Sequence, residues 1–556
     1  MKAYITGFTE EKIEQIKTHP YYSMKVEALK KYVEDSLLTE PKRIKFSDIH
    51  LFVETGNRSV YQDVYFNYTS RMRAYALAYL LFKDDKYITP LADMIWNICD
   101  LECWALPAHA PEKETIDKRR CWLDLCSTNL GAQIGEVLVM VGDKLPELVV
   151  RRATAQVRER IIEGYKKYKF WWYDATSNWS AVCIAGVLGS YLYFATEEEI
   201  EEQLPNMIKT AEGFLTGFDA DGCCMEGYGY WAYGFSYFCN FADLLRNYTN
   251  GKIDMFKNPR VHQVAKFQEN CAINENQCIR FSDCGEYYRP AAPLAHFLKN
   301  EYPDVQIPSI HPNGYPSTSI RDYVWEDPNL ENAKMDELKS CIFTDAQWFI
   351  YRSQKYNFAC KAGHNNEPHN HNDVGSFMIS KDGRVTFTDP GGGEYTRQYF
   401  SSERYTILEP SSRSHSVPII NGNLQKTVAA KSTVFVQNEK EYAFSMQGVY
   451  GDETLKMLKR HFVCEEDEII LTDTYEFDVV PESVVERLVS LVEPTSMEKG
   501  RITVGATVLL YDPEVVDFEL NTDTCVRSAT VSEKLYMFDF KVKNLAKDIK
   551  IEFKFI

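Results

Sequence analysis

Basic residues are in short supply in this chain: 62 Lys and Arg stand against 80 Asp and Glu, for a formal charge of −18 over 556 residues. So acidic a surface repels phosphate backbones and anionic headgroups. That excludes nucleic acid and the membrane surface as general partners, and any acidic ligand must meet a locally basic cleft. A long apolar run is lacking as well. The stretch around Ala181 to Ala195 is too short and too interrupted to cross a bilayer, and the opening residues show no apolar leader. Cysteines number 15, yet none stands in the Cys-x-x-Cys spacing of a structural zinc site, so free thiols in a reducing cytoplasm are expected. Histidine is sparse and unevenly placed, with four of eleven between His364 and His415.

What is present supports a folded, multidomain protein. Apolar residues make up 45% of the chain and aromatic ones 13%, ample for packed layers, and the length calls for two to four domains. The 35 tyrosines and 9 tryptophans exceed what packing requires, and exposed rings of this kind stack on sugar faces. Up to about residue 335 the apolar spacing is helical, as in Arg71–Phe82, Leu91–Cys99 and Leu130–Val141, with short polar breaks between segments. Helices joined by short turns form antiparallel hairpins, stacked as a solenoid or closed into a ring. From about Cys341 the period becomes two, in Trp348–Ser353, Ile469–Phe477 and Ile549–Ile556. Helices followed by strands predict two segregated domains, residues 1–335 helical and 336–556 an antiparallel β-sandwich.

Three segments carry chemistry. The first is Gly-His364-Asn-Asn-Glu-Pro-His369-Asn-His371-Asn-Asp373-Val-Gly-Ser-Phe, followed by Asp389-Pro-Gly-Gly-Gly and Arg413-Ser-His415-Ser. Alternate residues of an extended strand face one way, so His369 and His371 are expected to converge, with Asp389 and His415 joining them from neighbouring strands as a metal or acid/base centre. The second is Glu226-Gly-Tyr228-Gly-Tyr230-Trp-Ala-Tyr233-Gly-Phe-Ser-Tyr237. If it opens a helix, Tyr230, Tyr233 and Tyr237 share one face as a ligand-facing ladder. The third, Asn178-Trp179-Ser180, begins an apolar helix, and taken alone Ser177 or Asn178 reads as an ordinary cap.

Together these segments resemble the heparinase II/III family of polysaccharide lyases, which includes alginate lyases. The resemblance runs along most of the chain, through Asn178-Trp179, Glu226-x-x-x-Tyr230-x-x-Tyr233, His369-x-His371-x-Asp373-x-Gly375-Ser-Phe, Asp389-x-Gly391 and Ser414-His415. It implies an N-terminal (α/α) toroid followed by an antiparallel β-sandwich, and cleavage of uronic-acid-containing glycans by β-elimination. Removing the C5 proton beside a carboxylate needs a group against that carboxylate, a base, and an acid for the leaving oxygen. By the resemblance, Asn178 meets the carboxylate with His369 beside it, Tyr230 is acid or base, and Tyr405 is a second tyrosine of the site. As a base, Tyr230 would need positive charge nearby to lower its pKa. His109, Trp179, Glu226, Tyr233, Arg404 and Arg413 are expected to contact an acidic oligosaccharide. His371, Asp389 and His415 match the metal positions, with zinc as a structural brace. One departure stands out: several family members carry a histidine beside the asparagine, where this chain has Trp179.

Two other functions use the same residues. A metal-dependent glycan hydrolase would activate water on the His, Asp and His set, and a non-catalytic carbohydrate-binding protein would keep the fold alone. Sugar identity, linkage, sulfation and assembly, a homo-oligomer included, are not encoded in these motifs.

Overall fold

The computed structural model describes residues 4–5, 7–285, 291–308, 317–528 and 530–556. Its first part is helical. Four helices position the site and are labelled here α1 (Ser59–Phe82), α2 (Leu125–Val141), α3 (Asn178–Phe194) and α4 (Tyr228–Tyr248). All but one residue of α3 are buried, so this helix is apolar all round rather than amphipathic, as a helix enclosed by its neighbours must be. It packs against both α2 and α4. A Cβ at Gly186 would lie 2.4 Å from the Thr128 carbonyl carbon, so glycine there permits the backbones of α3 and α2 to approach. Asp124 starts α2 by accepting hydrogen bonds from the Cys126 and Ser127 amides, a cap worth about 1 kcal/mol. No described helix is long and apolar enough to cross a membrane.

A small hairpin, Ala272–Asn274 with Gln277–Cys278, interrupts the helical part, where helical spacing alone had been expected. The last α-helix among the described residues, Ile320–Trp325, is followed by a five-stranded antiparallel sheet that begins at Cys341 and continues in chain order to Phe387. Its two faces have different partners. Trp348, Ile350, Ala359 and Met378 belong to the helical core, whereas Phe349, Tyr351, Phe358, Cys360, Phe377 and Ile379 belong to the core of the sandwich. Alternation along each strand sends successive side chains to opposite faces. With both faces covered, Tyr356–Lys361 is buried at every position.

The rest of the chain adds an eight-stranded and a four-stranded antiparallel sheet. Asp548–Phe555 shows the period-two pattern most plainly, with Ile549, Ile551, Phe553 and Phe555 buried, and it pairs with Ile469–Phe477 in a register that sets Ile469 opposite Phe555. The molecule is a helical toroid followed by an antiparallel β-sandwich, with a cleft of about 1330 Å³ lined by residues of both.

Candidate active site

The segment from Gly363 to Gly375 is not a strand, contrary to the expectation from its alternating pattern. His369 has φ +54°, in the left-handed region that non-glycine residues seldom adopt, and this turn separates the two imidazoles. His369 lines the cleft, while His371 is fully buried. They still converge, but on a carboxylate. Asp283 Oδ2 takes the His369 Nδ1 hydrogen bond at 2.6 Å and Oδ1 takes that of His371 Nε2 at 2.9 Å. Tyr395 and Tyr399 donate their hydroxyls to the same carboxylate at 3.1 and 2.5 Å, and Arg404 donates Nη2 at 2.9 Å. This company holds the Asp283 carboxyl far below the ordinary aspartate range, against the opposing effect of burial, with His369 and His371 the chief contributors.

Asp283 reaches the histidines because the glycine run after Asp389 permits a close backbone approach. Gly391 has φ +70°, and a Cβ there would lie 2.1 Å from the Cys284 carbonyl oxygen; the Gly392 amide donates to that same oxygen at 3.1 Å.

Above this centre, α4 brings Tyr230 into the cleft. Its ring stacks on His369, with centroids 4.0 Å apart, and its hydroxyl lies 2.6 Å from that of Tyr395. Since Tyr395 donates to Asp283, Tyr230 donates to Tyr395. Tyr230 was expected to have a lowered pKa if it were a base. The structure reverses that sign: burial raises it well above the usual phenol, and Asp283 and Glu226 add to the effect. Glu226 Oε2 is 3.7 Å from His369 Nε2, and burial raises its carboxyl too. Tyr233 also lines the cleft, whereas Tyr228 is buried against Trp231 and Phe267, so the tyrosine series is divided between ligand face and core.

On the toroid side, Asn178 opens α3 at the cleft wall, and neither it nor Ser177 makes a side-chain capping bond. Trp179 and Trp171 stand 5.0 Å apart between ring centroids, and His109 packs edge-on against Trp179 at 4.8 Å. All four line the cleft.

Several expected site residues lie elsewhere. Arg404 does not line the cleft: besides Asp283 it holds the Asn370 and Tyr399 carbonyls, and its guanidinium lies 4.2 Å over the Tyr399 ring. Arg413 is exposed outside the cleft and donates to the Thr406 carbonyl. Tyr405 is likewise off the cleft, its hydroxyl accepting from Asn370 Nδ2 at 3.1 Å. Asp283, Tyr395 and Tyr399 went unrecognised in the sequence. The two tyrosines follow a glycine run at i, i+4 spacing, a pattern that could have marked them; Asp283 lies 86 and 88 positions from its histidines and carries no such mark.

The sequence matches no protein-family model and no curated protein. Solved structures do match. A heparinase III crystal structure aligns with TM-score 0.66 at 14% identity, covering 100% of this chain and 86% of that one. A mutant of heparan sulfate lyase HepC from Pedobacter heparinus aligns with TM-score 0.65 at 13% identity, covering 99% and 91%. Chondroitin AC lyase from Streptomyces coelicolor A3, in complex with chondroitin sulphate, gives 0.56 at 9% identity, covering 97% and 80%. The chain has the heparinase III fold.

In this heparinase-like fold a buried group of side chains can hold a metal. One atom each from His371, Asp373 and His415 lies within 4.8 Å of the others, and all three residues are buried. The carboxylate of this trio is Asp373, where the sequence had suggested Asp389. Asp389 lies instead against His415 Nδ1 at 2.8 Å and accepts from the Gly391 amide at 2.9 Å. The donor set fits a cation. His371 donates a hydrogen bond from Nε2 to Asp283, which leaves Nδ1 of the neutral ring as a buried lone pair with no hydrogen-bond partner. Neither Asp373 oxygen has a well-aligned donor, although the Lys361 ammonium lies 2.8 Å from Oδ1. Arg460 braces the trio by donating to the Gly375 carbonyl at 2.8 Å and the Ser416 carbonyl at 2.6 Å, next to its two ends.

Proposed function

We propose that this chain is a polysaccharide lyase that cleaves uronic-acid-containing glycans by β-elimination. One observation carries the reading: a protonated phenol from the toroid stacks on an imidazole from the sandwich side, inside a cleft wide enough for several sugar units. The neutral His369 ring donates its Nδ1 hydrogen to Asp283 in a hydrogen bond, which leaves the lone pair on Nε2, within the cleft. Tyr230 keeps its proton. The site thus offers a base and an acid side by side, which elimination requires: His369 accepts the proton from C5, and Tyr230 gives one to the departing glycosidic oxygen. The Asn178 amide makes no hydrogen bond within the described residues and is available to the uronate carboxylate, whose charge must be offset as C5 becomes carbanion-like.

His371, Asp373 and His415 would hold zinc, which two imidazoles and a carboxylate suit; His415 Nε2 donates to the Glu409 carbonyl at 2.9 Å, so its Nδ1, beside Asp389, is the nitrogen left for a cation. When bound, zinc would tie the loop carrying His369 to the sandwich. The burial of these residues argues against the hydrolase alternative, because none lines the cleft and a metal there could not present water to a sugar.

Incubation with glucuronan, hyaluronan, alginate, chondroitin and heparan fragments tests the reading. Elimination leaves an unsaturated uronate that absorbs in the ultraviolet. Saturated products alone, or unaltered substrate in every case, would overturn it.

A further inference from the structure

Among the described residues, three arginines and three carboxylates line the cleft, so its wall is electrically balanced. The arginines are not equivalent. Arg527 is paired with Glu533 at 2.8 Å. Arg397 donates Nη2 to the Phe52 and Val53 carbonyls at 3.1 and 3.0 Å, which pins its loop to the toroid. Arg58 has no acidic partner among the described residues: its Nη2 meets His109 Nε2 at 3.2 Å, and its Nε is buried without a hydrogen-bond partner.

The imidazole behind Arg58 is fixed by its other nitrogen. His109 Nδ1 is 2.7 Å from Asp124 Oδ2, and Asp124 is the buried cap of α2, also held by the Leu106 amide. Nδ1 therefore carries the proton, and Nε2 offers a lone pair to the guanidinium. A neutral ring can orient Arg58 without neutralising it. Guanidinium and carboxylate form two parallel, charge-assisted hydrogen bonds, and a guanidinium with a free edge in a cleft is suited to that ligand.

We infer that Arg58, propped by His109, is a carboxylate subsite, and that the glycan received here carries uronate carboxylates without sulfates. The inference rests on the lyase reading for the class of ligand and extends it to the pattern of charge. A densely sulfated chain binds through several free cations at once; among the described residues the wall offers Arg58 and Arg397, the latter with its Nη2 already engaged by two backbone carbonyls, and it opposes a sulfate with Glu226. Between charged units the cleft offers aromatic surface, with Trp171 61% exposed beside Trp179. His109 packs against Trp179, the neighbour of Asn178, so the subsite lies on the Asn178 side.

The test uses the full chain with paired oligosaccharides, unsulfated and sulfated on the same backbone, from heparosan, chondroitin and hyaluronan. Affinity is measured by calorimetry in a Tyr230→Phe background, and elimination by ultraviolet absorbance in the otherwise unaltered protein. The unsulfated member should bind about 10-fold or more tightly than its sulfated partner, Arg58→Gln should weaken it by about 10-fold or more, and Arg58→Lys should recover part of the loss. Carboxyl-reduced oligosaccharides should be indifferent to Arg58→Gln. Tighter binding of sulfated chains, no affinity for any unsulfated uronate chain, or equal affinity in Arg58→Gln and Arg58 proteins would overturn the inference. The two readings fail separately. Arg58-dependent binding without an unsaturated product sinks the lyase and spares the subsite, whereas elimination at unaltered KM in Arg58→Gln does the reverse.

Discussion

Replacing Asp283 by asparagine should damage this site more than any other single isosteric change. The carboxylate is fully buried and accepts from five donors: His369, His371, Tyr395, Tyr399 and Arg404. Asparagine keeps the volume but has one acceptor oxygen, and it turns an NH₂ toward groups that are themselves donors. Arg404 would then be a largely buried cation without its counter-charge. Breaking a buried ion pair from one side costs about 3–5 kcal/mol, because the remaining charge stays desolvated. The catalytic effect is separate. With one uncharged acceptor oxygen shared among five donors, the proton on His369 Nδ1 is no longer firmly held, so the lone pair at Nε2 is no longer assured, and loss of an oriented acid/base group typically costs about 10²- to 10⁴-fold in turnover.

The two effects separate in a double variant. Adding Arg404→Met to Asp283→Asn removes the orphaned cation, so thermal or urea stability should recover in part while elimination stays depressed by at least about 10²-fold. Unfolding midpoints and initial rates of unsaturated-product formation read the two outcomes. If Asp283→Asn alone turns over within about 10-fold of the parent, below the range assigned to an oriented base, Asp283 is not what orients His369. If stability and rate recover together in the double variant, the loss arose from the stranded charge and the orientation argument fails.

Tyr230→Phe removes the acid and leaves the ring stacked on His369, so elimination should be lost and calorimetric affinity for uronate oligosaccharides should stay within about 3-fold, the equivalent of well under 1 kcal/mol; retained turnover would remove Tyr230 from the chemistry. His371→Ala deletes one donor of the buried trio, and metal content by plasma emission and the unfolding midpoint should fall together, whereas an unchanged metal content would show that the trio is not a metal site. His296 gives a pH signature remote from the cleft: burial brings it down to about 4, and its Nδ1 accepts the Asp327 amide hydrogen bond at 3.0 Å. Because the folded pKa lies below the unfolded value of about 6.5, its contribution is complete above that value and is withdrawn as pH falls toward 4, by at most about 1.4 kcal/mol per unit. His296→Asn, whose amide oxygen can accept the same bond, should flatten that part of the profile, and an unaltered slope in urea melts from pH 7 to 4 would refute the assignment.

The parts of this molecule legible in its sequence are those fixed by neighbours along the chain. Helical spacing in Leu130–Val141 and alternation in Ile549–Phe555 arise from local geometry and report which face meets the core. The compact histidine run was visible for the same reason, and Tyr230 and Tyr233 could be assigned to one face once α4 was expected. What the sequence concealed depends on distant contacts. A lone aspartate between Ser282 and Cys284 becomes the anchor of the site only when the Gly391 approach brings the chain segments together. The geometry expected of His369 and His371 failed for a local reason as well, since alternation implies a strand only where hydrogen-bonded neighbours hold the backbone extended, and His369 turns left-handed instead. Tyr230 shows the limit most clearly. A tyrosine among basic residues and one enclosed among carboxylates have the same local sequence, yet burial beside Asp283 and Glu226 gives the phenol the opposite tendency from the one a base requires. The acid and base of this cleft are therefore assigned by surroundings that only the folded chain supplies: the imidazole accepts because a buried carboxylate holds its far proton, and the phenol donates because burial, reinforced by the same carboxylate, discourages its ionisation.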